Sequence, residues 1–559
     1  MGIDGVAQTV RSRLGIDRLK FGTAITGAAA LLLVPMSAQA ATNSSPYKLS
    51  APSVATPGTQ DNVQPDVLPV AAPRDLTVRA TATHRLDAAG NGDVTISDGN
   101  VSTTGNYAPG IAVTSTGATT ITAGAVSTTG NQSDGITVSG SGPISIAASS
   151  VSTTGSGSYR YGATGGNGSY GIRAIGGGDI AINVGTVTTT GAFAGGILAY
   201  SPTGNISINA GSIDATGHGA IGIYATGNDL TITTGSIDAG LAGINLFAVG
   251  AGASVNLTVN GDISATDKLA TGISISSYGD ITVHDSGTIT TTSTQTGIIK
   301  VGGGGGILLN AAGSITVDGG TNVITNGVGE QGVVANSLTG DVSLDLGSIT
   351  THGGEAGAIT ASTVNIQYNF QTQTYTTTVG GNVSIAVDNI KTYGRDSGGI
   401  LAAGANVDIT VKGAISTYGG FSTGITAVAY AGDVAIHNNG SITTTYAGSS
   451  GIYAKATGNV TIDGGGSIAV AGSGASGIVA LSTGGGAISI TTGDIATSGN
   501  GIYAESIAGN GYQTSGITIS TGNVTTLESG HDATGIFATN KNRYGNVAID
   551  TGNVTTRGD

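Results

Sequence analysis

The stretch NGDVTISDGNVSTTGNYAPGIAVTS (residues 91–115) is followed directly by TGATTITAGAVSTTGNQSDGITVSG (residues 116–140). Equivalent apolar residues in the two stretches lie 25 positions apart, and Val101, Val126 and Val151 carry this spacing into a third copy. Each copy has an Asp or Asn, an apolar-x-apolar run, a Gly turn, apolar-Thr-Thr, a short loop and Gly-Ile-x-Ala, and looser copies continue to residue 556. A fixed period of this length is typical of a solenoid.

Within each copy the apolar residues alternate with polar ones, as in Val94-Thr95-Ile96. This period of two is that of a β-strand, because successive side chains of a strand point to opposite faces. Each copy holds three such runs, which we number strand one, strand two and strand three. We therefore predict an all-β fold, a single-stranded parallel β-helix of about 17 rungs of about 25 residues. We expect it to be right-handed, as parallel crossover connections are.

The first 40 residues have the features of an export signal. Basic residues including Arg11 and Lys20 precede the apolar run from Phe21 to Val34, and Ala38-Gln39-Ala40 provides a small-residue cleavage site. Residues 41–88 are rich in proline and lack the alternating pattern, which predicts a disordered spacer that leads into a capping segment from near Leu76. Residues 89–559 form the predicted β-helix domain, which we expect to be truncated because it ends within a rung.

Composition excludes several classes of protein. Glycine is abundant, 99 of 559 residues, but it is not every third residue, so the chain is not a collagen. The formal net charge is −14 and no cluster of Lys and Arg occurs, so we predict no nucleic-acid partner. An exported chain without cysteine takes no stability from disulfides, and stability must come from the stacking of rungs.

An export signal followed by a long, cysteine-free, Gly/Thr/Ser-rich β-helix resembles the passenger region of bacterial autotransporters and filamentous-haemagglutinin-like adhesins. The resemblance covers about residues 89–559 and rests on repeat style. It implies a secreted or surface-exposed structural adhesin on the outer-membrane side of a Gram-negative cell. The implied partners are a host or environmental surface, glycans or further copies of the rod, and an outer-membrane translocator. Autotransporters end in a membrane β-barrel, whereas this sequence ends at Asp559 within a rung, so we expect a truncated passenger or a separate translocator; the sequence contains no Asn-Pro-Asn-type secretion motif.

Some β-helices cleave polysaccharides, and this is the first alternative. Gly217-His218-Gly219 resembles a segment of polygalacturonases, but those enzymes also need paired aspartates on neighbouring rungs, and only Asp214 is nearby in sequence. The six histidines are scattered over distant rungs. We therefore predict no enzyme activity, no cofactor and no metal site. The Asp or Asn that recurs before strand one is expected to serve the turn, because both residues tolerate the left-handed region and cap their own backbone.

Ice binding is the second alternative, because regular threonine arrays on a flat β-helix face can bind ice. Outward positions of strand one include Thr95 and Thr120, and those of strand two include Ser102 and Thr188. Threonine is also simply a good strand residue with a solvated side. Asp214, Asp238 and Lys391 interrupt the strand-two column.

Strand three provides the candidate contact stripe. The x of Gly-Ile-x-Ala should point outward, yet in many rungs it is bulky. These candidates are Leu198, Tyr224, Ile299, Val334, Leu401, Tyr453, Val479, Tyr503 and Phe537. The three longest insertions, near residues 156–170, 363–379 and 506–515, adjoin the same strand. Exposed apolar patches and insertions on one side mark binding faces, so the stripe is either a contact surface or a surface that the insertions cover.

Overall fold

The structure, a computed structural model, describes residues 66–67, 76–80, 85–157, 169–293, 304–369, 374–507, 514–527 and 533–557. The predicted signal and most of the predicted spacer lie outside these residues. Among the described residues there are strands and turns but no helix, and hence no helix that could cross a membrane. The chain divides into two compact units, Met1–Pro69 with Asn365–Thr378, and Val70–Val364 with Val379–Asp559.

The described part of the first unit is small. It contains the short strand Asp66–Val67 and most of a two-stranded sheet. The sheet pairs Val364–Asn369 with Thr374–Val379. The insertion that the sequence places at residues 363–379 therefore contains strands of its own.

The second unit is a parallel β-solenoid of about 17 turns that repeat about every 26 residues, which confirms the predicted fold class. Strand three is separate in every rung and forms one parallel sheet. Its strands are Leu86–Gly90, Ile111–Ser115, Ile136–Gly140, Ile172–Ile175, Ile197–Tyr200, Ile221–Gly227, Ala242–Ala248, Thr271–Ser277, Gly305–Ala311, Gln331–Ser337, Ile359–Ser362, Ile400–Gly404, Ile425–Ala429, Ile452–Ala456, Ile478–Ser482, Ile502–Ser506 and Ile536–Asn540.

Strands one and two share a second sheet. Separate copies of strand one are Leu76–Ala80, Val94–Asp98, Leu230–Thr234, Val255–Val259, Ile281–Asp285, Val407–Val411, Val434–Asn438, Val460–Asp463, Ile488–Thr492, Ile517–Thr521 and Val547–Thr551. Separate copies of strand two are Val101–Thr104, Ile237–Ala239, Ile263–Ala265, Thr288–Thr291, Ile415–Thr417, Ile442–Thr444, Ile468–Val470, Ile495–Thr497, Val524–Thr526 and Val554–Thr556. In other rungs the two strands are continuous, as Thr119–Thr129, Ile144–Thr153, Ile180–Thr189, Ile206–Ala215, Ile315–Thr325, Val342–Thr351 and Val383–Thr392.

The solenoid begins earlier than the predicted boundary at residue 89. Leu76–Ala80 pairs in parallel with Val94–Asp98, and Leu86–Gly90 pairs with Ile111–Ser115. The predicted spacer therefore extends too far, and its last residues already belong to the stack, near where a capping segment was expected. The repeat pattern is weak there because the strand LTVRA is not followed by apolar-Thr-Thr.

The core is a set of inward ladders that run through the rungs. Ile206 and Ile208 of strand one and Ile213 of strand two are each at most 2 % exposed. The Ile and the Ala of Gly-Ile-x-Ala both face inward, as Ile223 and Ala225 do at 0 % exposure. Burial of one such Ile contributes roughly 1.5–3 kcal/mol, so stability is spread along the whole stack.

The second Thr of apolar-Thr-Thr closes the corner between strands two and three. Its side chain points inward, and its hydroxyl donates to a backbone carbonyl five residues later, as Thr417 does to Ser422 at 2.6 Å. The Ser422 hydroxyl in turn accepts from the backbone N–H of Ser397 at 3.0 Å on the preceding rung. Because buried polar groups are costly unless they are hydrogen-bonded, these residues fix the corner in place.

The recurring Asp and Asn residues act between rungs rather than within their own turns. The side-chain oxygen of Asn406 accepts from the backbone N–H of Asp433 at 2.8 Å, and Asp433 accepts from the N–H of Asn459 at 2.6 Å. Their φ angles are not in the left-handed region. The prediction that these residues serve their own turns was therefore wrong. Their short side chains instead accept a hydrogen bond from the backbone N–H of the equivalent residue in the next rung, just before the strands begin to pair.

The Gly of Gly-Ile-x-Ala is required by close packing. A Cβ added to Gly222 would lie 2.6 Å from the backbone oxygen of Gly243 and 2.6 Å from Cγ2 of Ile237. At this glycine, strand three lies close both to a branched side chain of strand two and to the backbone of the next rung. A residue with a side chain would not fit at this position.

We expect Gly222→Ala to lower the free energy of unfolding by about 1–3 kcal/mol, the usual cost of overpacking. The matched control is Gly99→Ala, because a Cβ there would meet nothing within 4 Å, and a surface change of this kind stays within about 0.5 kcal/mol. Thermal unfolding of both variants, with hydrogen exchange of the strand Ile221–Gly227, measures the effect. Equal stability of the two variants would show that the close approach at Gly222 is relieved without cost.

Candidate contact face

The predicted contact stripe lies on one continuous ladder of the strand-three sheet. Leu198 pairs with Tyr224, Tyr453 with Val479, and Tyr503 with Phe537. The full ladder is Asp87, Ala112, Thr137, Arg173, Leu198, Tyr224, Asn245, Ser274, Leu308, Val334, Thr360, Leu401, Thr426, Tyr453, Val479, Tyr503 and Phe537.

Ile299 lies outside the described residues. The ladder position between Ser274 and Val334 belongs to Leu308. Two segments of the sequence match the Gly-Ile-x pattern of this rung, Gly297-Ile298-Ile299 and Gly306-Ile307-Leu308. The sequence pattern led us to assign the first to strand three, whereas the strand pairing shows that the second forms it.

Exposure along the stripe is uneven. Leu198 is 4 % exposed and is buried, whereas Phe537 is 43 % exposed. Tyr224, Val334, Leu401, Tyr453, Val479 and Tyr503 are half-buried. Most stripe side chains are therefore only partly exposed, and much of their apolar area is already covered by neighbouring side chains.

Ring contacts account for part of this cover. The Tyr224 and Phe247 rings pack with centroids 5.8 Å apart, and those of Tyr503 and Phe537 stack at 5.0 Å with an interplanar angle of 11°. Phe247 belongs to a second outward ladder on the same strand, which also carries Tyr200. The sequence pattern did not single out this second ladder, because it lies just beyond the Gly-Ile-x-Ala motif.

A buried carboxylate lies beside the stacked rings. Glu505 is 5 % exposed, and it accepts a hydrogen bond from the Tyr503 hydroxyl at 2.8 Å. Lys541 of the next rung contributes an ion pair at 2.5 Å. Burial, with the charge of Glu505 and the hydrogen bond to it, raises the pKa of Tyr503. Tyr503 is thus a protonated donor at neutral pH and is tied into the structure.

A second polar cluster lies on the same face nearer the N-terminus. Asp134 is 8 % exposed and accepts from the backbone N–H of Tyr170 at 2.9 Å. Burial raises the pKa of Asp134 to about 6, and the charge of Arg173 opposes this shift. Burial also raises the pKa of Tyr170 to about 12. Arg173 occupies the stripe ladder, so at this rung the ladder carries charge instead of apolar bulk.

The residues considered for catalysis are placed on the surface. His218 contacts Asp267 through Nδ1 at 2.6 Å, with its ring against that of Phe193. Asp214 and Asp238 are neighbours on successive rungs, so the pair of aspartates that appeared to be missing from the sequence does exist. Both side chains are exposed on the outward side of strand two.

Histidines of two other rungs also pair with aspartates across the stack. His284 contacts Asp318, and His437 contacts Asp463 at 2.6 Å. No group of three or more His, Asp or Glu side chains that could hold a metal ion occurs in the part of the chain that the structure describes.

One exposed aromatic group was missed by the sequence analysis. Tyr393 and Tyr418 directly follow the inward Thr of strand two on successive rungs, and their rings stack at 5.1 Å and 10°. Phe421 lies in the loop after Tyr418, and Tyr446 follows strand two of the next rung. We call Tyr393, Tyr418, Phe421 and Tyr446 the corner cluster. Their exposed fractions are 45, 40, 46 and 56 %, so this cluster is more open than the stripe.

Comparison of the chain with protein-family models, with curated proteins and with solved structures gives no match.

Proposed function

We propose that the chain is a secreted or surface-exposed rod that mediates attachment or self-association, in the manner of an autotransporter passenger. The observation that carries the proposal is the continuous strand-three ladder from Leu198 to Phe537, on which several bulky side chains, among them Tyr224 and Phe537, are at least partly exposed on one face of the stack. A solenoid built this way extends a surface over many rungs without needing a closed binding pocket.

Export and surface location belong to the same proposal. The N-terminal segment that ends at Ala40 supports export through the inner membrane, and the resemblance to passenger regions supports display by an outer-membrane translocator. Protease treatment of intact cells that produce the chain tests this: surface display predicts degradation of the rod while a periplasmic marker stays intact.

The contact face is tested with Tyr224→Thr and Phe537→Thr combined. Both residues are on the stripe, and neither has the buried hydrogen bond that ties Tyr503 to Glu505. Threonine already occupies equivalent ladder positions at Thr360 and Thr426, so the strands should persist. Aromatic anchors dominate contact energies, and we expect binding of the purified rod to cell monolayers to weaken at least about tenfold.

The control is Thr95→Ser with Thr120→Ser, two exposed positions on strand one, which should leave binding unchanged. Circular dichroism of both proteins must remain that of a β-structure. If the folded stripe variant attaches as well as the parent does, the stripe residues pack within the protein and do not form a contact surface.

A further inference from the structure

We propose that the strand Thr374–Val379 is a self-association edge, which pairs antiparallel with the same strand of a second copy of this chain about a two-fold axis. The inference rests on the proposed function only in its self-association part, and it assigns that part to residues other than the stripe.

The strand belongs to an insertion between strand three of one rung and strand one of the next. Residues 405–406 are enough to join these two strands one rung later, whereas residues 363–382 join them here. The insertion enters and leaves the rung at one point, because the Thr363 hydroxyl donates to the Gly381 carbonyl at 2.6 Å and the Gly380 N–H donates to the Thr363 carbonyl at 2.7 Å. The copies of strand one before and after the insertion pair in register, so the stack of rungs does not depend on it.

Both faces of this strand are open to solvent. The side chains from Thr374 to Thr378 are all exposed, and that of Tyr375 is 69 % exposed. Because successive side chains of a strand point to opposite faces, neither face of the strand packs on a core. Among the described residues its sheet has one further strand, Val364–Asn369. A two-stranded sheet that covers so little apolar surface is marginally stable in water, and a partner strand would stabilise it.

The insertion lacks the features that keep edge strands apart. Residues 363–381 contain no charged residue and no proline, whereas exposed edges are usually protected by lysine, proline or a bulge. The strand has the sequence TYTTTV, and threonine, tyrosine and valine all favour strands. A short uncharged segment of this composition is suited to strand pairing between chains.

The composition favours a second copy over another partner. The chain carries −14, so two copies repel each other in general, but the insertion adds no charge to this repulsion. A basic or an acidic partner would need opposite charges on the edge, and the sequence provides none there. The run Thr376–Thr378 is self-complementary, since a two-fold axis at Thr377 places Thr376 opposite Thr378 of the second copy. Threonine pairs of this kind stabilise antiparallel strands.

A pair of short strands makes a weak contact. It buries much less than the ~800 Å² per partner of a stable interface, and its energy comes mainly from backbone hydrogen bonds. We therefore expect a dimer with a Kd of about 10–100 µM. Copies held side by side on one surface meet at a high effective concentration, at which such a weak pair is populated.

Sedimentation velocity of the full chain over a range of concentrations tests the pairing. Thr376→Lys combined with Thr378→Lys places like charges opposite each other, and we expect the Kd of the dimer to rise at least about tenfold. Thr376→Glu combined with Thr378→Glu should have the same effect. An equal mixture of the two variants places opposite charges together, and it should restore a dimer with a Kd within about threefold of the parent's.

The matched control is Thr95→Lys combined with Thr231→Lys, two exposed threonines of strand one, which should leave the Kd within about twofold. Both lysine variants bring the net charge closer to zero, so weaker pairing of the strand variant cannot come from general repulsion. Circular dichroism and thermal unfolding verify that each variant is folded. If a strand variant is not, replacement of residues 364–379 by two glycines removes the edge and should give a monomer.

The proposal is overturned if the parent is a monomer at ~0.5 mM, or if the folded lysine strand variant or the glycine replacement dimerises as the parent does. It is also overturned if the mixture of lysine and glutamate variants stays monomeric. Tyr224→Thr combined with Phe537→Thr leaves this edge unchanged and should dimerise as the parent does. Loss of dimerisation in that stripe variant alone would assign self-association to the stripe, which would overturn this inference but support the proposed function. Attachment of the strand variants to cells tests the stripe separately.

Discussion

We expect Ile208→Asp to open the solenoid around its rung, whereas Ser207→Asp, one residue away, leaves the solenoid folded. Ile208 is 1 % exposed and lies in an inward ladder between Ile182 and Ile232. Removing the apolar side chain loses roughly 1.5–3 kcal/mol, and an unpaired carboxylate in the same place adds a desolvation cost of several kcal/mol. The total exceeds about 3 kcal/mol and is enough to unfold the local stack.

Ser207 is the matched control because it is exposed and belongs to the same strand. Its ladder neighbours, Ala181 and Thr231, carry no charge, so Ser207→Asp should change stability by less than about 0.5 kcal/mol. Limited proteolysis locates the opening, and hydrogen exchange of Ile206–Ala215 measures it. Similar protease resistance of the two variants would contradict the inward and outward assignment of strand one.

Stacking determines how far such a defect spreads. Each rung contacts only its two neighbours, so a solenoid behaves as a chain of units with nearest-neighbour coupling. Ile208→Asp should therefore expose strand one of the rungs at Ile182 and Ile232, while the distant rungs near Ile436 stay protected. A cooperative loss of protection over the whole unit would instead mean that the interfaces are too strong for local opening.

Sequence periodicity predicted the parts of the fold that every rung repeats. The inward positions of Val101, Val126 and Val151 follow from the alternation of apolar and polar residues, and the pairing confirms them. The same alternation placed Tyr224 and Phe537 on one outward ladder. These features are predictable because each of the two sheets requires the same geometry at each rung.

The parts that the sequence did not predict lie where rungs differ in length. The choice of Leu308 over Ile299 is of this kind, because the rung that follows Ser274 is longer than the others. The stack of Tyr393 on Tyr418 is different: both residues follow the inward Thr of strand two and lie 25 residues apart, one repeat length, so the repeat itself carries this signal. The burial of Leu198 depends on neighbouring side chains, which a pattern within one rung cannot reveal.

The last expected result concerns pH: acidic conditions should stabilise the solenoid near Glu330. This residue is 1 % exposed, and its Oε2 accepts from the Thr291 hydroxyl at 3.1 Å. Burial raises the pKa of Glu330 from its ordinary 4.5 to about 7, against the hydrogen bonds from Thr291 and Ser293, which lower it. Burial likewise raises the pKa of Asp285 to about 6.

The sign follows from proton linkage. A carboxyl whose pKa is higher in the folded chain binds its proton more tightly there than in the unfolded chain. Its contribution to stability is complete below pH 4.5 and is lost as the pH rises through about 7. Over this window the free energy of unfolding should fall by at most about 1.4 kcal/mol per pH unit for each such carboxyl.

Glu330→Gln removes this titration and keeps the size of the side chain. The difference in unfolding temperature between pH 5 and pH 8 should therefore be smaller in the variant than in the parent, and hydrogen exchange of Gln331–Ser337 should lose its pH dependence after correction for intrinsic rates. Glu355→Gln at the next rung, where the side chain is exposed, is the control and should behave as the parent does. If the unfolding temperatures of the parent and of the Glu330→Gln variant depend on pH in the same way, the buried carboxyl is ionised over the whole pH range. Water or a cation would then reach it from the corner of the solenoid.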